Sequence, residues 1–461
     1  MRRIFRILKE ALTGEEKNYT SGSIDRAIIL LSIPMVLEMA GESIFAVVDA
    51  FFVSKIGPDA VATVGITETM LTLVYSLAIG VSAAATPLIA RRAGQGDPPA
   101  GSRAAAQTIL LGTSISILLG IFGWIYAPEI LRFMGGSEEL IENGVGFTRI
   151  MFGTNIAIVL LFLLNAIFRG AGDASIAMQS LWIANAINIV LDPCLIFGLG
   201  PFPEMGIQGA AVATSIGRGA GVVFQLFILL NGRSILKIMR SYWRPRLDII
   251  WRLIKVSAGG TGQFIFGPGR RIFLMPILGK LGRGGGGGYT IAIRLLILTI
   301  LPSWGMSNAA ATLVGQNLGA GEPARAERSA WRTAFFNMIF LLIVSVTYFV
   351  FAPQLIGIFT DEKNVLDAGV QSLRIISLGY IFFAYGMVLG QAFNGAGDTR
   401  TPTLLNFIGF WLLEIPLAYA LAVSLSWGPE GVFWAVAISE STLAILLILV
   451  FRRGRWKLVE I

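Results

Sequence analysis

About a dozen apolar runs, each 20 to 30 residues long, follow one another along this chain, separated by short charged or Gly/Pro-rich breaks. A bilayer core is about 30 Å thick and takes roughly 20 apolar residues of helix to cross. Within it every backbone N–H and C=O must be satisfied locally, which a helix achieves and a lone strand does not. The runs fall at 28–54, 61–90, 104–126, 144–168, 175–198, 206–230, 250–279, 287–314, 329–351, 369–393, 401–425 and 430–451. A soluble chain of 461 residues needs far more polar surface than 55% hydrophobic and 14% charged residues provide. The expectation is an all-α integral membrane protein with twelve transmembrane helices.

The net charge of +8 sits in alternate loops, not on one face as nucleic-acid binding would require. Arg91, Arg92 and Arg103 follow the second run, Arg169 the fourth, and Arg233 to Lys255 occupy the long link after the sixth. Arg325, Arg328 and Arg332 follow the eighth, Arg400 the tenth, and Arg452, Arg453, Arg455 and Lys457 the last. By the positive-inside rule both termini are cytoplasmic, in a multi-pass protein of the cell (inner) membrane. Residues 1–12 (MRRIFRILKEAL) read as a basic amphipathic helix on an anionic membrane surface, and membrane lipid is an expected partner. No nucleic-acid partner and a monomeric state are expected.

The chain has no histidine and one cysteine, Cys194. That excludes a disulfide framework, a His/Cys metal site and histidine acid–base chemistry, and argues against an enzyme and against any cofactor.

The two halves repeat at a constant offset of 225 residues (319 − 94). Gly94-Gln95-Gly96-Asp97-Pro98 aligns with Gly319-Ala320-Gly321-Glu322-Pro323, and Ala127-Pro128 with Ala352-Pro353. Arg149-Ile150 aligns with Arg374-Ile375, and Gly170-Ala171-Gly172-Asp173 with Gly395-Ala396-Gly397-Asp398. Six spans per half is an even number, so the repeat is parallel, about an axis along the membrane normal. The expected domains are an amphipathic segment 1–27, a six-helix lobe 28–230, a cytoplasmic linker 231–249, a six-helix lobe 250–451 and a basic tail 452–461. Two pseudo-symmetric lobes enclose a central cleft, and rocking them gives alternating access.

Ser32-Ile33-Pro34-Met35, Asp49, Ile56-Gly57-Pro58, Arg169 to Asp173 (RGAGD), Asn188 to Pro193 (NIVLDP) and Ala309 to Gly321 (AAATLVGQNLGAG) resemble the multidrug and toxic compound extrusion (MATE) transporters. The resemblance covers essentially the whole chain. It implies an antiporter exporting lipophilic, often cationic, small molecules in exchange for H⁺ or Na⁺. Asp49, Asn188, Asp192 and Thr214 match the family's cation-binding cluster in the N-terminal lobe, where Na⁺ binding is possible. The wider superfamily includes lipid-linked oligosaccharide flippases, which supply the alternative function.

A charge near the bilayer centre costs at least about 2.5–3.5 kcal/mol and so faces a cavity or a partner. Glu38, Glu42 and Asp49 fall within about 40° of one another on a helix, which predicts one wet acidic face. Asn188 lies one turn before Asp192, and Pro193 follows it. The structural alternatives are Asp192-Pro193 as a helix end and Asp49 as a cap near Gly57. Glu68 is a further candidate, or pairs with Arg294. Gln263 is the repeat mate of Glu38, and Leu274 that of Asp49, so the cluster is not duplicated. Some family members carry essential acids in the seventh and tenth spans. The absence of acids there leaves Glu414 and Glu440 as the C-terminal candidates.

Gly267-Pro268-Gly269-Arg270-Arg271 interrupts the seventh run, and Arg283 precedes five glycines at 284–288. One reading is a broken helix whose Arg270 and Arg271 line the cleft and answer Glu38, Glu42 or Asp49. The other is an alteration of the natural sequence. Aromatics such as Tyr75, Phe162, Phe264, Trp304 and Trp411 suit a cleft for flat cations. A membrane-embedded glycosyltransferase, a third hypothesis, lacks a loop long enough for catalysis outside 231–255.

Overall fold

The computed structural model describes residues 2–14, 19–281 and 283–461, with backbone only for 2–5, 283 and 284. Part of the amphipathic segment and the start of the glycine tract therefore lie outside the described side chains. The helices run, in order, α1 Arg2–Thr13, α2 Ile24–Ser54, α3 Pro58–Gly94, α4 Pro98–Ile125, α5 Ala127–Phe133, α6 Glu138–Gly153, α7 Asn155–Ala171, α8 Ala174–Phe197 and α9 Ile207–Asn231. The second half continues with α10 Leu247–Gly269, α11 Arg271–Lys280, α12 Arg283–Gly319, α13 Pro323–Gly357, α14 Lys363–Leu378, α15 Tyr380–Ala396, α16 Arg400–Ser424 and α17 Pro429–Arg452.

Local sequence sets these boundaries. Ser23 Oγ accepts from the Arg26 N–H, Asp97 Oδ1 from the Ala100 N–H and Ser137 Oγ from the Leu140 N–H, the N-cap role these residues favour. Pro58, Pro98, Pro323 and Pro429 open their helices, where the missing N–H costs nothing. The repeated Gly-Ala-Gly-Asp ends α7 at Gly172 (φ 91°) and α15 at Gly397 (φ 87°), left-handed positions that glycine takes without strain.

Among the described residues ten helices are long and apolar enough to cross a bilayer, and α14 with α15 forms an eleventh span bent by 57°. The expected span 369–393 is this bent pair. Its repeat mate, α6 with α7, passes as one 34-residue span. The expected span 250–279 is split into α10 and α11 at Arg270 and does not pass as one apolar helix. The broken-helix reading of Gly267–Arg271 therefore describes the backbone. The glycine tract has packing reasons at Gly285, where a Cβ would meet the Pro429 ring, and at Gly288. A Cβ on Gly288 would meet the backbone of α14 at Gly369, Val365 and Ala368, whereas Gly286 has nothing within 4 Å.

Each lobe has its own apolar cores. Leu161, Leu164, Phe168 and Leu229 belong to one in the first lobe, and Leu341, Ile356, Leu373 and Phe433 to one in the second. The first helix of each lobe packs on the second long helix of the other: α2 on α12, and α10 on α3. A further cluster joins Ile28, Leu31 and Met35 of α2 to Ala309 and Leu313 of α12. The N-terminal half of α2 is buried there, but no residue from 44 to 52 is. Nine consecutive residues go fully round a helix, so this half meets the cleft as well as the bilayer. This unburied half lies at the end of α2 away from the two termini. On the terminal face α1 is tied to α2 by Arg26 Nη2 donating to Glu10 (3.0 Å), and this guanidinium holds the Glu10 carboxyl below its usual range.

Gly288→Val should lower the thermal unfolding midpoint in detergent, since overpacking typically costs about 1–3 kcal/mol. Gly286→Ala should raise it, because alanine is favoured over glycine by about 1 kcal/mol in a helix interior. Equal effects of the two substitutions would contradict the packing described.

Candidate ion-coupling site

Thr214 and Arg218 lie one turn apart on α9, as do Asn188 and Asp192 on α8. These two helices pack closely along their length. The Asn188 amide joins them. In the orientation that satisfies its partners, Nδ2 donates to Asp192 Oδ2 at 2.9 Å, and its oxygen accepts from the Thr214 hydroxyl (3.1 Å) and backbone N–H (3.0 Å). Asp192 is fully buried and α8 runs through Pro193 to Phe197, so Asp192 is not a helix end. Asp49 is five residues before the end of α2 and caps nothing. It is half-buried. Of the four residues matched by family resemblance, Asn188, Asp192 and Thr214 are thus joined by hydrogen bonds, and Asp49 makes none with them.

The expected single acidic face of α2 is not formed. Glu38 is fully buried and turned into the lobe, where Arg169 Nη1 (2.6 Å) and Asn165 Nδ2 (3.0 Å) donate to it. Glu42 is bracketed by Arg218, whose two Nη atoms donate at 3.0 and 2.6 Å while the guanidinium lies 4.7 Å from the Phe45 ring centroid. Glu38 and Glu42 meet different helices, Glu38 the Asn165 and Arg169 of α7 and Glu42 the Arg218 of α9. A charge in a low-dielectric interior takes the nearest fixed counter-charge. Arg218 was not singled out by sequence reasoning. Its signal was present, however, as the lone basic residue inside the apolar run 206–230.

In the second lobe Arg270, at the break of the seventh span, donates through Nη1 to Glu414 (2.8 Å) and through Nη2 to Glu440 (2.6 Å). Its guanidinium also lies 4.0 Å from the Phe410 centroid, and Ser439 Oγ donates to Glu414 at 2.9 Å. Glu414 ends a π-helical stretch, Phe407–Glu414, just before Pro416. Such a stretch is a common way of re-aiming a side chain at a functional position. Arg270 therefore answers acids of its own lobe, correcting the expectation that it answers Glu38, Glu42 or Asp49. Glu68 and Arg294 are both exposed and form no ion pair with each other.

The repeat survives in the contacts even where the chemistry differs. Glu38 and Arg169 pair in the first lobe, and their mates Gln263 (38 + 225) and Asn394 (169 + 225) exchange two hydrogen bonds, 2.9 and 3.1 Å, in the second. The same two positions meet, as an ion pair once and as an amide pair once.

Arg270→Met should destabilise the protein by about 3–5 kcal/mol, the cost of leaving buried partners uncompensated. Adding Glu414→Gln and Glu440→Gln should recover most of it. Thermal unfolding of the single and triple variants in detergent tests this, and a triple variant as unstable as the single would refute the pairing.

Comparison with known proteins agrees with this architecture. The MatE family model matches residues 34–194 and 263–420, one stretch in each lobe. The chain is 26% identical over 438 residues to the probable multidrug resistance protein NorM of Thermotoga maritima, covering 94% of this chain and 93% of that one. It is 24% identical over 426 residues to a FAD transporter of Shewanella oneidensis, covering 92% and 94%. A crystal structure of a MATE protein in its straight conformation superposes with a TM-score of 0.89 at 25% identity, over 98% of this chain and 99% of that one. The paired lobes and the family match over both of them place this chain in the MATE family, as a multi-pass membrane transporter and not an enzyme.

Proposed function

We propose that this protein is an antiporter that exports lipophilic, often cationic, small molecules in exchange for H⁺ or Na⁺. The coupling ion would bind in the first lobe at Asp49, Asn188, Asp192 and Thr214. One observation carries the reading. Glu38, Glu42, Glu414 and Glu440 each have an arginine within 2.6–2.8 Å, whereas Asp49, Asp192 and Glu68 have no basic group within 4.0 Å among the described residues. Uncompensated carboxylates in a membrane interior are costly unless a mobile cation or a proton neutralises them. They also favour a cationic substrate in the cleft.

The ligands offered are carboxylate, amide and hydroxyl oxygens, hard donors that suit Na⁺ and accept a proton. Binding of either ion would be worth most in the conformation that best buries Asp49 with Asp192. A ligand shifts a two-state equilibrium only by its difference in affinity for the two states. With the termini on the cytoplasmic side, as the basic loops indicate, the unburied half of α2 lies toward the outside, where the driving ion enters.

Proteoliposomes loaded with a fluorescent lipophilic cation provide the test. Asp49→Asn and Asp192→Asn should each reduce gradient-driven efflux at least about tenfold, one order of magnitude for roughly 1.4 kcal/mol of lost coupling. Transport at the wild-type rate by both would rule the site out. Imposing a pH jump and a sodium jump separately identifies the coupling ion.

A further inference from the structure

The terminal face is closed by a second pseudo-symmetric arrangement, unrelated to the acids of the cleft. The ends of α3 and α12 cross there with backbones in contact. A Cβ on Gly94 would fall on the Gln316 carbonyl, and a Cβ on its mate Gly319 on the Arg91 carbonyl. Arg91 and Gln316 are themselves repeat mates (91 + 225), and each reaches the end of a helix in the other lobe. Arg91 Nη2 donates to the Ala396 carbonyl at the end of α15 (2.9 Å), and Gln316 Nε2 to the Gly170 carbonyl near the end of α7 (3.4 Å).

Each of these residues also holds one end of the chain. Arg91 Nη2 donates to the carbonyl of Val459, two residues before the last, at 2.6 Å. Gln316 Oε1 accepts from the backbone N–H of Tyr19 at 3.2 Å. Both ends cross to the opposite lobe. The N-terminal segment, which leads into the first lobe, is gripped by Arg325 of the second through the Tyr19, Ser21 and Gly22 carbonyls (3.3, 2.8 and 2.9 Å). Arg332 of the second lobe binds Asp25 of α2 as well. The C-terminal segment, anchored in the second lobe by buried Trp456 stacked on Phe451, delivers Val459 to Arg91 of the first. The pairing extends to the Gly-Ala-Gly-Asp turns. The Tyr19 hydroxyl donates to the Gly172 carbonyl (3.5 Å), and the Ile461 side chain lies against the mate, Gly397.

We infer that Arg91 and Gln316 are the gate residues of the terminal face and that the two chain ends are straps across it. Opening the cleft to this face separates α3 from α12. That movement removes both Arg91 and Gln316 from the opposite lobe and pulls Tyr19 and Val459 off their holders. The straps thus set how often the state open to the terminal face is visited. The inference uses the two-lobe fold alone and does not depend on the substrate or coupling ion.

Spin labels at positions 97 and 322, repeat-related helix starts on the terminal face, report the separation in a Cys194→Ser background reconstituted in lipid. No substrate or gradient is required, so the result stands apart from the transport assay. A chain ending at Leu458 keeps the Trp456 anchor and removes the carbonyl that Arg91 holds. It should raise the fraction with the long 97–322 distance roughly 3- to 30-fold, the shift one or two hydrogen bonds sustain. Arg91→Gln, which copies its repeat mate, should raise it as well. Combining the two should add less than the sum of their separate effects, since both remove the same contact. An unchanged distance distribution in both variants, or fully additive effects, would overturn the inference. So would a loss of thermal stability without a change in distance.

Discussion

Ionised side chains inside a bilayer must be matched, and the interior of this protein is organised around how that is done. Four intramembrane glutamates are each held by an arginine from another helix: Glu38 by Arg169, Glu42 by Arg218, and Glu414 with Glu440 by Arg270. Removing one partner of a buried pair costs far more than the pair itself contributes, so these contacts fix helix positions within each lobe. The lobes can then move as bodies. Asp49 and Asp192 stand outside the scheme, and the proposed coupling chemistry resides in that exception.

The pseudo-symmetry is exact in position and loose in chemistry. Gln263 and Asn394 stand where Glu38 and Arg169 stand, and Gln316 where Arg91 stands. A parallel repeat repeats its contacts because the backbone path repeats, and the side chains at those contacts diverge as long as each remains satisfied. The proposed coupling is accordingly confined to one lobe. The first lobe offers free carboxylates and the second neutralises its own with Arg270. The broken seventh span is part of that asymmetry. The proline and glycines that end α10 place Arg270 where it reaches two helices at once.

Much of this was legible beforehand. Apolar runs of membrane length gave the spans, and the 225-residue register gave the two lobes. The N-lobe cluster came from a family resemblance, and hydrogen bonds join three of its residues, Asn188, Asp192 and Thr214. Arg218 is marked in the sequence only as the lone basic residue of its apolar run, which does not say that Glu42 is its partner. The three acids of α2 were misread as a shared face because helical angle alone ignores which neighbour stands opposite each residue. The 17 Å or so of rise between Glu38 and Asp49 places them beside different helices.

The sequence by itself determined that the chain is a bundle of membrane-length apolar helices, where many of them start and stop, and that the halves are related. Those properties depend on hydrophobic length, capping residues and internal repetition, all local or periodic. Only the tertiary structure decided which acid meets which arginine, that the seventh span breaks at Arg270, and that both chain ends reach across to the other lobe. Those contacts join residues more than a hundred positions apart, as with Arg169 and Glu38 or Arg91 and Val459. No local pattern specifies them, because they exist only once the lobes have packed.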